Sequence, residues 1–429
     1  MNAYRSLEMQ EKTRTRKEDH RYFVGTTLKN PLEYKRGEKM IFKIRVKYMD
    51  GYLDIPYIKY SKIGDDGQAE EGYIPKSEDG WFYIEGSIDI SGFIYIKAQA
   101  CDENKQIIDG ISPFNDSAGA DVDKLLRATK TPDGYLEFWD MLKAEVEATE
   151  PTLLFSRKIS DESYPDFEIY DMHIKAPWSD YVSAIVCYPK GAEKNSLKFA
   201  MNFQGYGVRT ATPMPLKGHL SISVNAHALP NCESDEFYAD VRDNKLIGYG
   251  YDAEENKRPE TTYWAKMILR DLQAIRYFKD HELLNKKDYY FIGSSQGGMQ
   301  ACNMAAHFDR SSAVILNVPW LSDVHAHELC GRRPSKMPKG CGIEFFDTAV
   351  AAEHLSCPAY IISGLGDPTC NSGTQMAIYN SIRSNKYIEF YQNKVHSFTI
   401  PWDKNMYSLG DKSLASSLAV YTTKYYDFD

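Results

Sequence analysis

Tyr289-Tyr290-Phe291-Ile292-Gly293-Ser294-Ser295-Gln296-Gly297-Gly298-Met299-Gln300-Ala301-Cys302 is the stretch whose reading decides the fold. An apolar run with strand character stops at a glycine, turns through a serine and resumes in residues that suit a helix. Glycines two before and two after Ser295 leave room for so abrupt a turn, which pushes one hydroxyl into the open beside a backbone N–H. Ser295 is therefore a candidate nucleophile.

A serine hydroxyl is a weak nucleophile at neutral pH. It needs a histidine to take its proton and a carboxylate to fix that imidazole's tautomer. In α/β-hydrolases these partners follow the serine in the order Asp or Glu, then His. The chain offers Asp367, just past the buried-strand pattern Ala359-Tyr360-Ile361-Ile362-Ser363-Gly364. It then offers His396, in the loop beyond Tyr387-Ile388-Glu389-Phe390-Tyr391. Singly, Asp367 reads as a turn former and His396 as a solvated loop residue. Jointly, in that order and each past a strand, they fall on one edge of an inferred sheet, where open α/β sheets place their ligands.

An attacked carbonyl develops a negative oxygen that needs N–H donors. The backbone of Gln296, the residue after the nucleophile, is the expected first donor. The second is expected from Tyr206, because Phe199-Ala200-Met201-Asn202-Phe203 reads as a strand that runs into Gln204-Gly205-Tyr206-Gly207. The alternative for that loop is an ordinary glycine-rich turn.

These segments resemble the acetyl xylan esterase and cephalosporin C deacetylase family of carbohydrate esterases. Phe203-Gln204-Gly205-Tyr206-Gly207 is similar to its F-H-G-Y-x-G, and Gly293 to Gly298 to its G-x-S-Q-G-G. Val318-Pro319-Trp320-Leu321-Ser322-Asp323, Cys357-Pro358, the Gly364-to-Cys370 turn and Ala377-Ile378-Tyr379-Asn380 resemble further segments in the same order. The resemblance implies a triad of Ser295, Asp367 and His396, an oxyanion hole at Tyr206 and Gln296, and hydrolysis of acetyl esters on xylo-oligosaccharides and similar small molecules. It also implies a closed homo-oligomer, a contact that an extra N-terminal module could block or redirect. Trp320 either walls the acyl pocket, as the motif suggests, or packs beneath a loop. The chain departs from the family at Ser221 to Pro230, where an R-G-Q signature is missing, at His396-Ser397 in place of H-E, and at Asn371-Ser372 in place of a proline pair. Two rivals remain at this point: the same machinery on another acyl ester or peptide bond, and a non-catalytic carbohydrate-binding protein.

A length of 429 residues with 43% hydrophobic content supports two packed cores. The net charge of −9 and the lack of a basic cluster beyond Arg14 to Arg21 argue against nucleic acid as a partner. No apolar run reaches the ~18 residues of a membrane span. The first eighteen residues are polar and lack a signal peptide's apolar core, so the expected compartment is the cytoplasm, or outside it if a signal was removed. Eight cysteines without C-x-x-C read as packing residues. His325-Ala326-His327-Glu328 is the one metal-like cluster, yet the spacing offers no third ligand. No metal or organic cofactor is expected, and the expected partner is a small acetylated saccharide.

Along the chain, residues 1–30 are charged and unpatterned and read as an arm. Met40, Phe42, Ile44, Val46 and Tyr48 alternate with charged residues, which is a half-buried strand. Similar strands around Ile55 to Tyr60, Trp81 to Ile84 and Phe93 to Ala100, with no helix between, predict an immunoglobulin-like β-sandwich over 31–115 that covers one side of the site. Ser112 to Gly119 reads as the closing linker. From 120 to 429 the texture is α/β: a helix from Tyr135 to Glu147 capped by Asp133, a long helix from Tyr263 to Lys279, and strands between helices. This alternation predicts an α/β-hydrolase fold, a mostly parallel sheet covered by helices.

Overall fold

Alternating hydrophobicity builds the first module. The computed structural model describes residues 21–333, 336–398 and 406–422. Its first nine strands are β1 (Arg21–Thr27), β2 (Met40–Tyr48), β3 (Gly51–Tyr52), β4 (Tyr57–Gly64), β5 (Ala69–Pro75), β6 (Phe82–Gly86), β7 (Gly92–Cys101), β8 (Ile111–Ser112) and β9 (Phe114–Ala120). One sheet runs β3-β2-β1-β8 with β6 also on β2, and the other runs β5-β4-β7-β9. Met40, Phe42, Ile44 and Val46 from the first sheet meet Ile58, Ile94, Ile96 and Phe114 from the second in one core.

Two expectations are corrected here. Part of the expected arm is β1, which pairs antiparallel with β2 from Tyr22 to Thr27; residues 1–20 lie outside the described residues. The expected linker is β9, paired antiparallel with β7. Its sequence, Phe114-Asn115-Asp116-Ser117-Ala118-Gly119-Ala120, imitates a loop because its buried second half, Ser117 to Ala120, is made of small side chains. A Cβ on Gly119 would come within 2.4 Å of Val122 Cγ1 and 2.8 Å of Phe93.

The second module holds a ten-stranded sheet: β10 (Leu153–Ile159), β11 (Phe167–Ala176), β12 (Ser179–Pro189), β13 (Leu197–Phe203), β14 (His219–Val224), β15 (Leu284–Ser294), β16 (Ala313–Asn317), β17 (Ala359–Gly364), β18 (Lys386–Tyr391) and β19 (Met406–Gly410). Its order is β10-β11-β12-β14-β13-β15-β16-β17-β18-β19. From β14 to β18 every pairing is parallel. The flanking pairings β10 with β11, β11 with β12, β12 with β14, and β18 with β19 are antiparallel, so the sheet is mixed.

Helices cover it. Tyr135–Ala148 buries Tyr135, Phe138, Trp139, Leu142 and Val146 on one stripe. Its cap is Gly134, in the left-handed region at φ 76, instead of Asp133; glycine enters that conformation without the clash a Cβ brings. Tyr263–Phe278 buries Trp264, Met267, Ile268, Leu272, Ile275 and Phe278, and the Thr262 hydroxyl caps it by accepting from the Ala265 amide at 3.1 Å. Among the described residues no helix is long and apolar enough to cross a membrane.

Candidate active site

β15 ends at Ser294, and the next residue makes the turn into the helix Gln296–His307. Ser295 sits at φ 57 and ψ −120, a strained backbone for a residue with a side chain. Steric room fixes the glycines around it. A Cβ on Gly293 would lie 1.9 Å from the Gly297 carbonyl oxygen, and one on Gly297 would lie 2.2 Å from that of Phe203. Strand β13 therefore ends against the first turn of the helix, and only glycine admits that approach.

The two partners arrive on parallel neighbours. Asp367 follows β17 and is fully buried. One of its oxygens, Oδ1, accepts from the amides of Thr369 at 2.7 Å and Cys370 at 2.9 Å. The other, Oδ2, lies 2.8 Å from His396 Nδ1. Across the ring, His396 Nε2 lies 2.9 Å from Ser295 Oγ. The carboxylate can only accept, so Nδ1 carries a proton and Nε2 is left to accept from the hydroxyl. The loops bearing Asp367 and His396 interlock: the Gly366 amide donates to the Lys394 carbonyl at 3.0 Å, and a Cβ on Gly364 would lie 2.2 Å from that oxygen.

The loop after β13 passes beside the turn. A Cβ on Gly205 would meet the Ser294 carbonyl oxygen at 3.2 Å and Ser295 Cβ at 4.0 Å, so Tyr206 follows directly on the closest approach. Gln296 opens its helix, where amide N–H groups have no carbonyl one turn back. Tyr249 ties the two segments together, and the sequence did not single it out. Its hydroxyl donates to Gln296 Oε1 at 2.9 Å and accepts from the Gly207 amide at 3.0 Å. Its ring also stacks on that of Tyr206, with centroids 4.4 Å apart.

His227 supports the same loop from the segment where the family signature is missing. Its Nε2 donates to the Gly207 carbonyl at 3.1 Å, and its Nδ1 accepts from the Tyr263 hydroxyl at 2.7 Å. Burial pushes its pKa down to about 4, so the ring stays neutral. The glycines beside Tyr249, in Gly248-Tyr249-Gly250-Tyr251, were the available signal for a tyrosine held close to other main chain.

Trp320 touches the turn through its backbone. Its amide donates to the Ser295 carbonyl at 3.0 Å. The indole itself is buried, lying edge-on to Trp264 at 5.3 Å and donating to the Lys336 carbonyl at 3.2 Å. In the metal-like cluster, His325 is bonded at both nitrogens, to Glu328 at 3.2 Å and Glu344 at 2.8 Å. His327 Nδ1 bonds the Arg332 carbonyl at 2.9 Å. Among the described residues, the grouping whose donor atoms do converge is Asp367, Cys370 and His396, within 4.8 Å of one another. Two of those three already bond each other, and burial with the Asp367 charge pushes the Cys370 thiol well up, away from the thiolate a metal would need.

The first module grips both partner loops through β9. The Ser117 hydroxyl donates to the Leu365 carbonyl at 2.7 Å. Asp116 Oδ2 accepts from Gln392 Nε2 at 2.9 Å, and the Asn115 amide donates to Asn393 Oδ1 at 3.1 Å. Burial pushes the Asp116 carboxyl up to about 7 in spite of the donors Gln392 Nε2 and the Ser117 amide. A cleft of about 630 Å³ opens beside the turn, between the ends of β13 and β14, and reaches Gly205 and Ser294.

A sharp serine turn between strand and helix, with an aspartate and a histidine hydrogen-bonded to it in sequence on the carboxyl edge of a mixed sheet, is the arrangement of an α/β-hydrolase fold. Solved structures of acetyl xylan esterases share it. An acetyl xylan esterase from Thermoanaerobacterium superposes with a TM-score of 0.54 at 15% identity, over 71% of this chain and 98% of its own. Another from Paenibacillus gives 0.53 at 17%, over 64% of this chain and 93% of its own. The acetyl xylan esterase family profile matches residues 120–329 and 341–409, and the chain belongs to that family. It is also 22% identical, over 82% of each chain, to the acetyl esterase Axe7A of Xylanibacter ruminicola. Membership places the protein among the esterases, as the motifs led one to expect.

Proposed function

We propose that the protein is a serine esterase that removes acetyl groups from acetylated xylo-oligosaccharides and similar small acetyl esters. The observation that carries this reading is the unbroken chain of hydrogen bonds from Ser295 through His396 to the buried Asp367. Ser295 Oγ attacks the ester carbonyl while His396 Nε2 takes its proton, and Asp367 holds the imidazole in tautomer and stabilises its positive form. The oxyanion rests on the backbone N–H groups of Tyr206 and Gln296. His396 then protonates the departing sugar oxygen. Water, activated by the same imidazole, clears the acetyl-enzyme. None of these steps calls for a metal or organic cofactor.

In this proposal 31–115 together with β1 and β9 is an immunoglobulin-like support for the hydrolase domain of 120–429, and Trp320 backs the acyl pocket. Acetate release from acetylated xylo-oligosaccharides, read by mass spectrometry, tests the substrate. A series of p-nitrophenyl esters tests the acyl group: activity concentrated on acetyl is expected, whereas butyryl turnover equal to acetyl would contradict it.

A further inference from the structure

The cleft beside the turn contains one cation and no carboxylate to answer it. Among the described residues that line it, from Tyr164 through Met214 to Ser294, Arg209 is the sole Asp, Glu, Lys, Arg or His. Elsewhere in this chain of net charge −9, several arginines meet carboxylates, Arg127 and Arg383 on Glu353, Arg157 on Asp171 and Arg332 on Asp323, while others such as Arg45 and Arg333 lie over aromatic rings. Among the described residues, the one hydrogen bond of the exposed Arg209 guanidinium is to the Tyr206 carbonyl, at 3.3 Å.

Its backbone is fixed from below. The Arg209 carbonyl accepts from Gln204 Nε2 at 3.2 Å and from Asn225 Nδ2 at 3.1 Å, while the Ala211 amide donates to Asn231 Oδ1 at 2.9 Å. Asn225 and Asn231 are fully buried. Three amide side chains thus hold the segment that presents the guanidinium, so little ordering is left to be done when a ligand arrives. The position is also close to the chemistry. A Cβ on Gly205 would meet Arg209 Nη2 at 3.6 Å and Ser295 Cβ at 4.0 Å, so the guanidinium and the nucleophile flank the same point.

We propose that Arg209 binds a carboxylate of the substrate, and that the preferred acetyl ester is an acidic saccharide, an acetylated oligosaccharide bearing a uronate. The inference rests on the esterase reading above. A guanidinium fork matches a carboxylate in two parallel hydrogen bonds. The net negative charge of the whole chain repels anions, so an acidic substrate needs a local cation to enter the cleft.

The test compares two acetylated xylo-oligosaccharides of equal length, one neutral and one with a single uronate branch. The readout is the ratio of their kcat/KM values in wild type, R209K and R209Q, at low and high salt. Wild type is expected to favour the acidic ester about fivefold at low salt, as suits one exposed ion pair, and less at high salt. R209K keeps part of that preference and R209Q loses it. A ratio near one in wild type, or an undiminished ratio in R209Q, overturns the inference. Calorimetric binding of the same two esters to Ser295→Ala separates the two claims. If wild type hydrolyses neither ester the esterase reading fails, while tighter binding of the acidic ester still supports Arg209 and equal binding removes it.

Discussion

Replacing Asp367 by asparagine tests the relay at the atom where its geometry is most constrained. Asp367 Oδ1 accepts two backbone N–H groups, from Thr369 at 2.7 Å and Cys370 at 2.9 Å. An asparagine amide must therefore keep its oxygen there and turn its NH₂ toward His396. That NH₂ donates to Nδ1, which drives the proton to Nε2, and a protonated Nε2 cannot accept from Ser295. The fold loses little, because the shape and both loop hydrogen bonds survive. The chemical step loses its base. A wrong tautomer of this kind costs about 10⁴-fold in kcat, equivalent to about 5.5 kcal/mol of barrier. The assay is p-nitrophenyl acetate hydrolysis beside a thermal melt of the same preparation. A folded Asp367→Asn protein within about tenfold of wild-type kcat would refute the tautomer argument.

Further expectations follow from steric room and from buried charge. Gly297→Ala places a Cβ 2.2 Å from the Phe203 carbonyl oxygen, backbone against backbone, so the strand and helix must part; a loss of more than about 2 kcal/mol in urea unfolding is expected together with loss of activity. Asp271 is buried with one oxygen accepting from Gln300 at 2.7 Å, and burial pushes its carboxyl up to about 7. Unfolded, the group ionises near pH 4, so its drain on stability is absent below that pH, grows as pH rises to about 7 and is constant above. Asp271→Asn removes it, and the variant's advantage over wild type should widen across that window, by at most about 4 kcal/mol. An advantage independent of pH would show that Asp271 is not the group responsible.

The sequence made the turn at Ser295 and the order in which Asp367 and His396 follow legible because both are imposed locally. Glycines at 293 and 297 are demanded by main chain approaching from β13 and from the helix itself, and each partner lies just past an apolar run that reads as a strand. What was not legible is set by contacts distant along the chain. β9 looks like a loop because its small polar residues face Phe93 on one side and the loop of Leu365 on the other. β10 escaped because it is an exposed edge strand without alternation. Tyr249 and His227 hold the Gly207 loop from segments 42 and 20 residues away, and no local pattern announces such bonds. The indole of Trp320 packs on Trp264, a partner that its own motif does not identify.

The central claim is that Ser295 is the activated nucleophile. Treatment with a fluorophosphonate, followed by peptide mass spectrometry, tests it most directly. The account predicts a single phosphonyl adduct on the peptide containing Ser295, absent from a folded Ser295→Ala protein whose kcat on p-nitrophenyl acetate has fallen by about 10⁵-fold or more. An unmodified Ser295 in protein that still hydrolyses the ester, or near wild-type turnover by Ser295→Ala, would contradict it.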